Sequence, residues 1–256
     1  MEPLFDISGR RAFISGGSRG IGLMIARGFV EAGARVIISS RNAEACEEAV
    51  AGLSEFGEAS ALPADVSTVE GINDVVNRLA AETDSLDILV NNAGAVWAGA
   101  FEEYPEAAWD KVMDLNLKSL FFMTQAVAPM LKAAATSDRP ARVINIASID
   151  GLHVPAFETY PYGASKAGVI HLTRQLAKHL APHHVNVNAI APGLFPSKMT
   201  EYIIDQYEDS LLRGIPRGSA GTAEDIAGTA IYLSARASNY VTGQTVVVDG
   251  GLTGTL

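Results

Sequence analysis

The sequence has little cysteine and no long apolar run. Its 256 residues include one cysteine, Cys46, which cannot form a disulfide within the chain or a multi-cysteine metal site. Such cysteine usage is typical of a reducing compartment, so we expect a cytoplasmic protein. No apolar stretch approaches the roughly 20 residues of a membrane span, and the first residues lack the regions of a signal peptide. We therefore expect a soluble protein with no membrane partner.

Basic residues and metal-ligand motifs are also scarce. The chain carries 19 Lys and Arg against 29 Asp and Glu, a net charge of −10, whereas a nucleic-acid surface requires clustered basic residues. The five histidines show no H-E-x-x-H motif and no paired spacing with acidic residues. We expect neither a nucleic-acid partner nor a bound metal.

Hydrophobic residues make up 48% of the chain, and short β-branched runs of them alternate with helix-period segments. This alternation predicts a parallel sheet covered on both faces, the doubly wound (Rossmann-type) α/β fold. No repeat or linker divides the chain, so residues 1–256 are expected to form a single domain. The seven predicted strands are residues 11–15, 35–39, 59–62, 87–90, 142–147, 185–190 and 245–248.

Helical periodicity is clear over residues 21–31, 43–56 and 109–134, and Ser67 with Glu70 predicts a capping box at the start of another helix. Residues 152–161 and 193–217 have no regular pattern. Long loops in compact domains tend to carry function, so we expect these two stretches to flank a substrate and the second to cover it.

A glycine-rich turn joins the first predicted strand to the first helix. From Ser15 to Gly22 the sequence reads S-G-G-S-R-G-I-G. In this context glycines turn the chain, let the backbone approach a pyrophosphate and let the helix pack closely, while the helix N-terminus offers N–H groups to phosphates. The turn predicts a dinucleotide site; glycines that serve packing alone are the alternative. The expected contacts are Gly16, Ser18, Arg19, Gly20, Ile21 and Gly22.

The end of the second strand indicates which dinucleotide is preferred. A site for NAD offers an acidic residue to the adenosine ribose at this point, but the sequence reads Ser39-Ser40-Arg41. The guanidinium groups of Arg41 and Arg19 suit a ribose 2′-phosphate instead. We expect the cofactor to be NADP(H); two solvated arginines are the alternative.

With these motifs in place, the chain closely resembles the short-chain dehydrogenase/reductase family over essentially its whole length. Within the family it is similar to the 3-oxoacyl (β-ketoacyl) reductases. The resemblance implies a nicotinamide-dependent oxidoreductase that acts on a carbonyl or an alcohol. It rests on an ordered set of motifs, which are the glycine turn 16–22, Asp65-Val66, Asn91-Asn92-Ala93-Gly94, Asn116, Ser148, Tyr162-Gly163-Ala164-Ser165-Lys166 and Pro192-Gly193.

The resemblance implies a catalytic set of Asn116, Ser148, Tyr162 and Lys166. Tyr162 and Lys166 are four residues apart in a helical segment, so their side chains share one face; the enoyl reductases have a wider gap. We expect the Lys166 ammonium to lower the pKa of Tyr162, the acid/base. Ser148 would hold the substrate oxygen. Asn116 would bend its helix and hold a water for proton relay.

The resemblance also implies cofactor contacts beyond the glycine turn and Arg41. Residues after the third strand would border the adenine, those after the fourth would line the adenosine ribose, and the loop after the sixth would reach the nicotinamide. Tyr162 and Lys166 would contact the cofactor too, the lysine at the nicotinamide ribose. The remaining residues of this set are Asp65, Val66, Asn92, Ala93, Gly94, Pro192, Phe195 and Ser197.

The substrate is expected to be a 3-oxoacyl thioester or a similarly lipophilic ketone, reduced to the 3-hydroxy product. Apolar residues recur every four positions after Gly193, on a helical face that could cover an acyl chain or simply pack on the core; they are Phe195, Met199, Ile203 and Tyr207. The expected substrate contacts are Ser148, His153, Tyr162, Phe195 and Met199.

Several alternatives stay open. Arg139 matches a position that carrier-dependent relatives use to dock acyl carrier protein, but the second such position is His183, only partly charged near neutrality. A coenzyme A ester or a free ketone is therefore an equal alternative to the carrier-bound form. A small ketone, sugar or polycyclic alcohol is the runner-up substrate, and a dinucleotide-binding regulator without catalysis is a further reading. The family implies a homotetramer or homodimer through helices at 109–134 and 162–180.

Overall fold

The computed structural model describes residues 3–155, 157–197 and 212–255. These residues form a parallel seven-stranded sheet in the order β3-β2-β1-β4-β5-β6-β7, and the doubly wound fold is confirmed. The strands are β1 Arg11–Ser15, β2 Arg35–Ser39, β3 Ala59–Ala61, β4 Ile88–Asn91, β5 Ala141–Ile146, β6 Val185–Pro192 and β7 Thr245–Val248.

Helices cover both faces of the sheet. They are α1 Gly20–Glu31, α2 Ala43–Ser54, α3 Val69–Glu82, α4 Glu106–Met113, α5 Ser119–Ala134, α6 Tyr160–Leu180 and α7 Ala223–Ser234. Helices α1, α2 and α7 contribute to the core on one face, and α3, α5 and α6 to the core on the other. Helices α1 and α7 approach closely because Gly28 lacks a side chain; a Cβ there would lie 2.5 Å from Cβ of Ala227.

The strands are apolar throughout because both faces are covered. Successive side chains of a strand point to opposite faces, and β1 shows the result: Ile14 packs in the core beside α1, while Phe13 packs in the core beside α3 and α5. Both side chains are fully buried. Burying a side chain of this size stabilises the fold by roughly 1.5–3 kcal/mol.

The helix predicted over 109–134 runs without a gap through α4, a π-helical turn at Asp114–Lys118 that contains Asn116, and α5. One local prediction was wrong. The predicted capping box is absent at α3, because Ser67 bonds to Asp65 instead and Thr68 is the N-cap, accepting from the Gly71 N–H at 3.1 Å.

The strand order reverses between β1 and β4, since β1 pairs with both β2 and β4. In open α/β sheets ligands bind outside the carboxyl ends of the strands at such a reversal. The glycine turn follows β1 at this edge, and Ser148 follows β5 at the same edge. No helix within the described ranges is long and apolar enough to cross a membrane.

Candidate active site

In the glycine turn, Gly16, Gly20 and Gly22 each have a structural reason to lack a side chain. Gly16 and Gly20 have φ of +68° and +54°, the left-handed region that side chains disfavour. A Cβ at Gly22 would lie 2.3 Å from the Gly16 carbonyl oxygen, so α1 can pack this closely only with glycine there. The nearest atom to a Cβ at Gly20 is Cβ of Ser197, 3.4 Å away. Gly20 therefore leaves open space at the N-terminus of α1, where helix N–H groups can receive an anion, and its contact with the dinucleotide stays a prediction.

The loop after β4 holds this turn in place. Asn92 Nδ2 donates to the carbonyl oxygens of Ser15 and Gly16 at 3.1 and 2.9 Å. The Ser15 hydroxyl accepts from the N–H groups of Asn92 and Ala93 at 3.1 Å each. A Cβ at Gly94 would lie 3.3 Å from an oxygen of the Asn116 side chain. These contacts support the turn, and the ribose contact expected of this loop stays a prediction.

Two loops meet where the ribose phosphate is expected. The Ser18 hydroxyl donates to the Ser40 hydroxyl at 3.0 Å, which brings together the two loops whose next residues are Arg19 and Arg41. Both arginine side chains are exposed. An anion between them would meet two guanidinium groups, which is the arrangement that suits a phosphate. Ser40 was not singled out in the sequence, although it adjoins Arg41.

Asp65 and Val66 follow β3. Val66 is buried in the core, while Asp65 accepts from the backbone N–H and the hydroxyl of Ser67 at 3.0 and 2.7 Å. Partial burial raises the pKa of Asp65, but these bonds and the charge of Arg41 outweigh it, so the pKa lies below its usual value. The Asp65 carboxylate therefore makes its hydrogen bonds within its own turn. Contact of Asp65 and Val66 with the adenine stays a prediction.

Tyr162 and Lys166 lie on one face of α6, as their spacing predicts. Lys166 Nζ is 5.5 Å from the centroid of the Tyr162 ring and donates to the Ile146 carbonyl oxygen at 2.8 Å. Because Ile146 ends β5, this bond ties the lysine to the carboxyl edge of the sheet. Lys166 is buried, with 5% of its surface exposed.

Ser148 follows β5 and precedes a short 3₁₀ turn, Ile149–Gly151. Its hydroxyl accepts from the Asp150 N–H at 3.1 Å and acts to lower the pKa of Tyr162. The turn rests directly on α6, where a Cβ at Gly151 would lie 2.6 Å from the Lys166 carbonyl carbon. Glycine at this position therefore lets the turn after Ser148 pack closely on the helix that carries Tyr162.

Asn116 lies in the π-helical turn between α4 and α5. Its Oδ1 accepts from the Ala95 N–H at 2.8 Å, and its Nδ2 donates to the Ala95 carbonyl and to the Ser165 hydroxyl at 3.0 Å each. Single π-turns inside α-helices are frequent at functional sites. Asn116 thus links α6 to the loop after β4, and its part in proton relay stays a prediction.

Burial is the largest influence on the pKa values of Tyr162 and Lys166. Burial first, and Asp150 to a smaller extent, raise the pKa of Tyr162 to about 12 against an opposing effect of Ser148. Burial lowers the pKa of Lys166 to about 8, against the effect of Asp150. The pKa of Tyr162 is thus raised, not lowered as expected from Lys166, because the loss of hydration is the largest effect on it. Tyr162 is protonated at neutral pH.

In the loop after β6, the side chain of Phe195 does not lie where a substrate contact was expected. Pro192 pairs with Val248, and the Phe195 ring lies in the main core with 2% of its surface exposed. The ring packs on Gly221, where a Cβ would lie 2.4 Å from its tip. Phe195 therefore contributes a core side chain and not the expected side-chain contact with substrate; its backbone role stays a prediction. Met199, Ile203 and Tyr207 lie outside the described residues.

The two positions compared with carrier-docking residues lie far from this edge of the sheet. Arg139 precedes β5 and His183 precedes β6, so both are at the N-terminal edge, whereas Ser148 and Tyr162 are at the carboxyl edge. Arg139 also forms an ion pair with Asp87, at 3.5 Å. In the three described ranges, no three His, Cys, Asp or Glu side chains are grouped to hold a metal ion.

An aromatic cluster beside α6 was missed in the sequence. The Tyr160 ring lies 5.6 Å from Phe101 and 5.7 Å from Tyr104, centroid to centroid. The Tyr104 hydroxyl donates to the Trp97 carbonyl at 2.8 Å, and Trp97, Phe101 and Tyr160 are exposed. The cluster of Trp97, Phe101, Tyr104 and Tyr160 places apolar surface at the start of α6, on a different face from Tyr162, because residues two apart in a helix do not share a face. Its members are too far apart in the chain for periodicity to reveal it.

A doubly wound sheet with a phosphate-ready glycine turn and a Ser, Tyr and Lys set at one edge defines a dinucleotide-dependent oxidoreductase. The family model described as Enoyl-(Acyl carrier protein) reductase matches residues 16–253. The chain belongs to the short-chain dehydrogenase/reductase family.

Relatives match the chain over nearly its whole length. The rhamnolipids biosynthesis 3-oxoacyl-[acyl-carrier-protein] reductase of Pseudomonas aeruginosa is 46% identical, covering 98% of this chain and 99% of its own. The gluconate 5-dehydrogenase of Gluconobacter oxydans is 37% identical, covering 98% and 97%. The structure of a Pseudomonas aeruginosa RhlG/NADP active-site complex superposes with a TM-score of 0.95 at 46% identity, covering 98% and 99%.

Proposed function

We propose that this protein is an NADPH-dependent reductase that converts a 3-oxoacyl thioester to the 3-hydroxyacyl product. The observation that carries the proposal is the placement of Tyr162, which keeps its proton at neutral pH, with Lys166 on one face of α6 and at the sheet edge where Ser148 and the glycine turn also lie. An acid at this point is what carbonyl reduction requires, because the alkoxide that forms must gain a proton.

The proposed cofactor is NADPH, which supplies the hydride when bound. Gly20 and the N-terminus of α1 would hold its pyrophosphate, and Arg19 and Arg41 would hold the 2′-phosphate. The Pseudomonas aeruginosa RhlG complex, which contains NADP, supports this choice. Lys166 and Ser197 complete the proposed cofactor contacts on the nicotinamide side.

In the proposed mechanism Ser148 and Tyr162 both hydrogen-bond the substrate oxygen. Tyr162 donates its proton to that oxygen as the carbonyl becomes an alcohol. The Lys166 ammonium stabilises the phenolate that is left, and Asn116 supports the helix that carries both residues. General acid catalysis of this kind contributes about 10²–10⁴-fold to the rate.

The proposed substrate is supported by the 3-oxoacyl reductase among the relatives and by the exposed aromatic cluster at the start of α6, which offers apolar surface to a lipophilic chain. A second candidate is a dehydrogenase of a sugar acid or small ketone, favoured by the gluconate 5-dehydrogenase relative. Retention of Tyr162 and Lys166 argues against a regulator without catalysis.

The deciding experiment follows NADPH absorbance with acetoacetyl and longer 3-oxoacyl thioesters, beside small ketones and 5-ketogluconate. If the kcat/KM is highest for the 3-oxoacyl thioesters, the result supports the proposed function. If it is highest for a small ketone or for 5-ketogluconate, the second candidate function takes the place of the first. A 2-enoyl thioester serves as a further arm, because the matching family model is described as an enoyl reductase. We expect no turnover of that compound.

The form of the thioester is proposed to be a coenzyme A ester or a carrier-bound chain. Arg139 is engaged with Asp87 and lies at the sheet edge opposite Tyr162, which supports the coenzyme A form. Equal kcat/KM for the two forms, with no loss in Arg139→Ala, is the expected result. A large preference for the carrier-bound chain that Arg139→Ala abolishes would establish carrier docking.

We further propose that residues 1–256 act as one domain, with residues 193–217 covering the substrate, in a cytoplasmic homotetramer or homodimer. Cysteine usage supports the compartment. An exposed groove supports the assembly, since Leu117, Phe121 and Phe122 from the end of α4 through α5 face Leu172 of α6 across it. Light scattering on the purified protein measures its mass and decides the oligomeric order.

A further inference from the structure

Ser165 lies between Tyr162 and Lys166 in α6, and the proposed mechanism gives it no part. The residue is fully buried. Its hydroxyl donates to the Tyr162 carbonyl oxygen at 2.8 Å and accepts from Asn116 Nδ2 at 3.0 Å. One buried hydroxyl group therefore joins the π-helical turn to the backbone of the residue that carries the proposed proton donor.

The first turn of α6, which includes Tyr162, lacks the usual support at its start. Thr159 precedes the helix and makes no side-chain cap within the part of the chain that the structure describes. Its hydroxyl donates instead to the Phe157 carbonyl oxygen at 3.3 Å. A side-chain cap normally holds the first turn of a helix. The first turn of α6 is held from its side, by the bond from Ser165 to the Tyr162 carbonyl.

Asn116 is itself fixed in orientation. Its Oδ1 accepts from the Ala95 N–H at 2.8 Å, and its Nδ2 donates to the Ala95 carbonyl oxygen at 3.0 Å. Exchange of the amide oxygen and nitrogen would place donor against donor and acceptor against acceptor. Nδ2 must therefore be the atom that faces Ser165. The Ser165 oxygen accepts this bond, and its hydrogen is directed to the Tyr162 carbonyl, which can only accept.

The helix and the π-helical turn are in close contact beside this bond. A Cβ at Gly168 would lie 2.9 Å from Leu117 Cδ2, and Leu117 follows Asn116 in the turn. Gly168 is three residues after Ser165 and so lies on the same face of α6. The glycine lets the two segments approach closely enough for a single hydroxyl to bridge them.

A second bridge of the same chemistry lies further along α6. Thr173 is also fully buried. Its hydroxyl donates to the Val169 carbonyl oxygen at 2.8 Å and accepts from Asn145 Nδ2 at 2.9 Å. This bridge ties the middle of the helix to β5, about two turns beyond Lys166. It supplies a matched comparison, because its atoms and distances resemble those at Ser165 while the reacting groups are remote.

We propose that Ser165 is a positioning residue for the acid/base. It transmits the fixed position of Asn116 to the first turn of α6 and so aims the Tyr162 hydroxyl at the substrate oxygen. The inference rests on the proposed function in that Tyr162 is taken as the proton donor. Ser165 acts through Tyr162 and contacts neither substrate nor cofactor. Such positioning matters because a misplacement of about 1 Å can cost about 10²-fold in rate.

The test removes the hydroxyl with Ser165→Ala. We expect kcat for acetoacetyl-coenzyme A to fall about ten- to a hundredfold, while the KM for NADPH stays within about twofold of wild type. The solvent deuterium isotope effect on kcat should rise, because transfer of the Tyr162 proton becomes slower than the other steps. Ser165→Thr restores the hydroxyl and should recover most of kcat.

The matched control is Thr173→Val, which removes the equivalent hydroxyl two turns away. It should keep the wild-type isotope effect and a kcat within about twofold of wild type. Ser165→Ala with wild-type kcat, or with a loss of kcat but no change in isotope effect, overturns the proposal. Should Ser165→Ala fail to fold, Ser165→Cys carries the same prediction, since a thiol is of similar size and only a weak donor.

A double-mutant cycle tests the connection to Asn116. In the Asn116→Ala background the hydroxyl no longer has a fixed position to transmit. Adding Ser165→Ala should therefore reduce kcat by less than about twofold further. Losses that multiply in the double variant would show that Ser165 acts independently of Asn116 and would overturn the proposal.

Hydrogen exchange of the cofactor-free protein gives a readout without turnover. Ser165→Ala should speed exchange of the backbone amides in the first turn of α6, and Thr173→Val that of later amides. An unchanged first turn overturns the proposal. If only 5-ketogluconate is reduced, the kinetic comparison is made with that compound, and the substrate assignment fails while the role of Ser165 stands. If Tyr162→Phe is inactive but Ser165→Ala is not, the role of Ser165 fails alone.

Discussion

Asn92 Nδ2 donates to the Gly16 carbonyl oxygen at 2.9 Å, and both atoms lie against the same face of Gly22. A Cβ at Gly22 would be 2.3 Å from that oxygen and 2.4 Å from Nδ2. Only a hydrogen atom fits on the Gly22 α-carbon at this side. Without a side chain there, Asn92 in the loop after β4 can bond to the glycine turn. The shape of the phosphate site depends on this contact, although Asn92 itself was expected to contact a ribose.

Gly22→Ala should therefore destabilise the protein and weaken cofactor binding. The added methyl group must displace either the turn or Asn92, and such overpacking costs typically 1–3 kcal/mol. Urea unfolding measures the free energy, and fluorescence titration measures the NADPH dissociation constant. The matched control is Gly52→Ala in α2, where a Cβ meets nothing within 4 Å and the change should stabilise by about 0.4–1 kcal/mol. Equal effects at the two positions would contradict the packing argument.

Tyr162→Phe should abolish turnover and leave NADPH affinity largely intact, because only the hydroxyl is removed. We expect a loss of at least about 10²-fold in kcat. Tyr160→Phe is the control, since Tyr160 lies on the same helix end but its hydroxyl bonds to Glu158. A Tyr162→Phe enzyme that keeps more than about a tenth of the wild-type rate would rule out Tyr162 as the acid/base.

The wild-type enzyme should prefer NADPH to NADH, and Arg41→Asp should narrow or reverse the preference. A hydrogen bond to a charged group contributes about 1.5–3 kcal/mol, or about ten- to a hundredfold in kcat/KM. The control is Arg35→Asp at the other end of β2, where the guanidinium pairs with Glu58 at 3.0 Å. Equal wild-type efficiency with both cofactors would remove the basis for assigning a 2′-phosphate site.

Lys166 should make stability rise with pH. Burial lowers its pKa from 10.5 to about 8, so between these values the unfolded chain holds a proton that the folded protein has released. The free energy of unfolding then increases by at most about 1.4 kcal/mol per pH unit. Above pH 10 the raised pKa of Tyr162 acts in the opposite direction, so unfolding is best measured between pH 8 and 10.

Lys166→Met should flatten that rise, because the buried titrating group is gone. Lys178→Met, at an exposed position later in α6, should retain the wild-type slope. If both variants show the wild-type dependence of unfolding free energy on pH, the buried Lys166 ammonium does not destabilise the folded protein below pH 8.

The predicted strands β1, β2 and β7 have the observed bounds because each is an apolar run that ends at small or polar residues. The π-helical turn at Asn116 was not predictable from periodicity, since one inserted residue changes the apolar repeat too little to detect. The capping box failed because the Asp65 carboxylate competes for Ser67. Such competition depends on three-dimensional placement that spacing does not encode.

The site was predicted best where its residues are close in sequence. Tyr162 and Lys166 follow from one helical spacing, and Ser148 from its place after a strand. The burial of Phe195 depends on Gly221, which nothing in the local pattern connects to it. Asp150 was overlooked although it lies two residues after Ser148; a carboxylate in an otherwise apolar turn was the available signal.

Gly151 touches neither reacting hydroxyl group, yet its contact with the α6 backbone holds the turn after Ser148 against the helix that carries Tyr162. Directly after it the chain leaves the helix, and Leu152 and Val154 are 47% and 91% exposed. The close contact with α6 therefore ends at Gly151, and the chain beyond it presents apolar side chains to solvent at the same edge of the sheet.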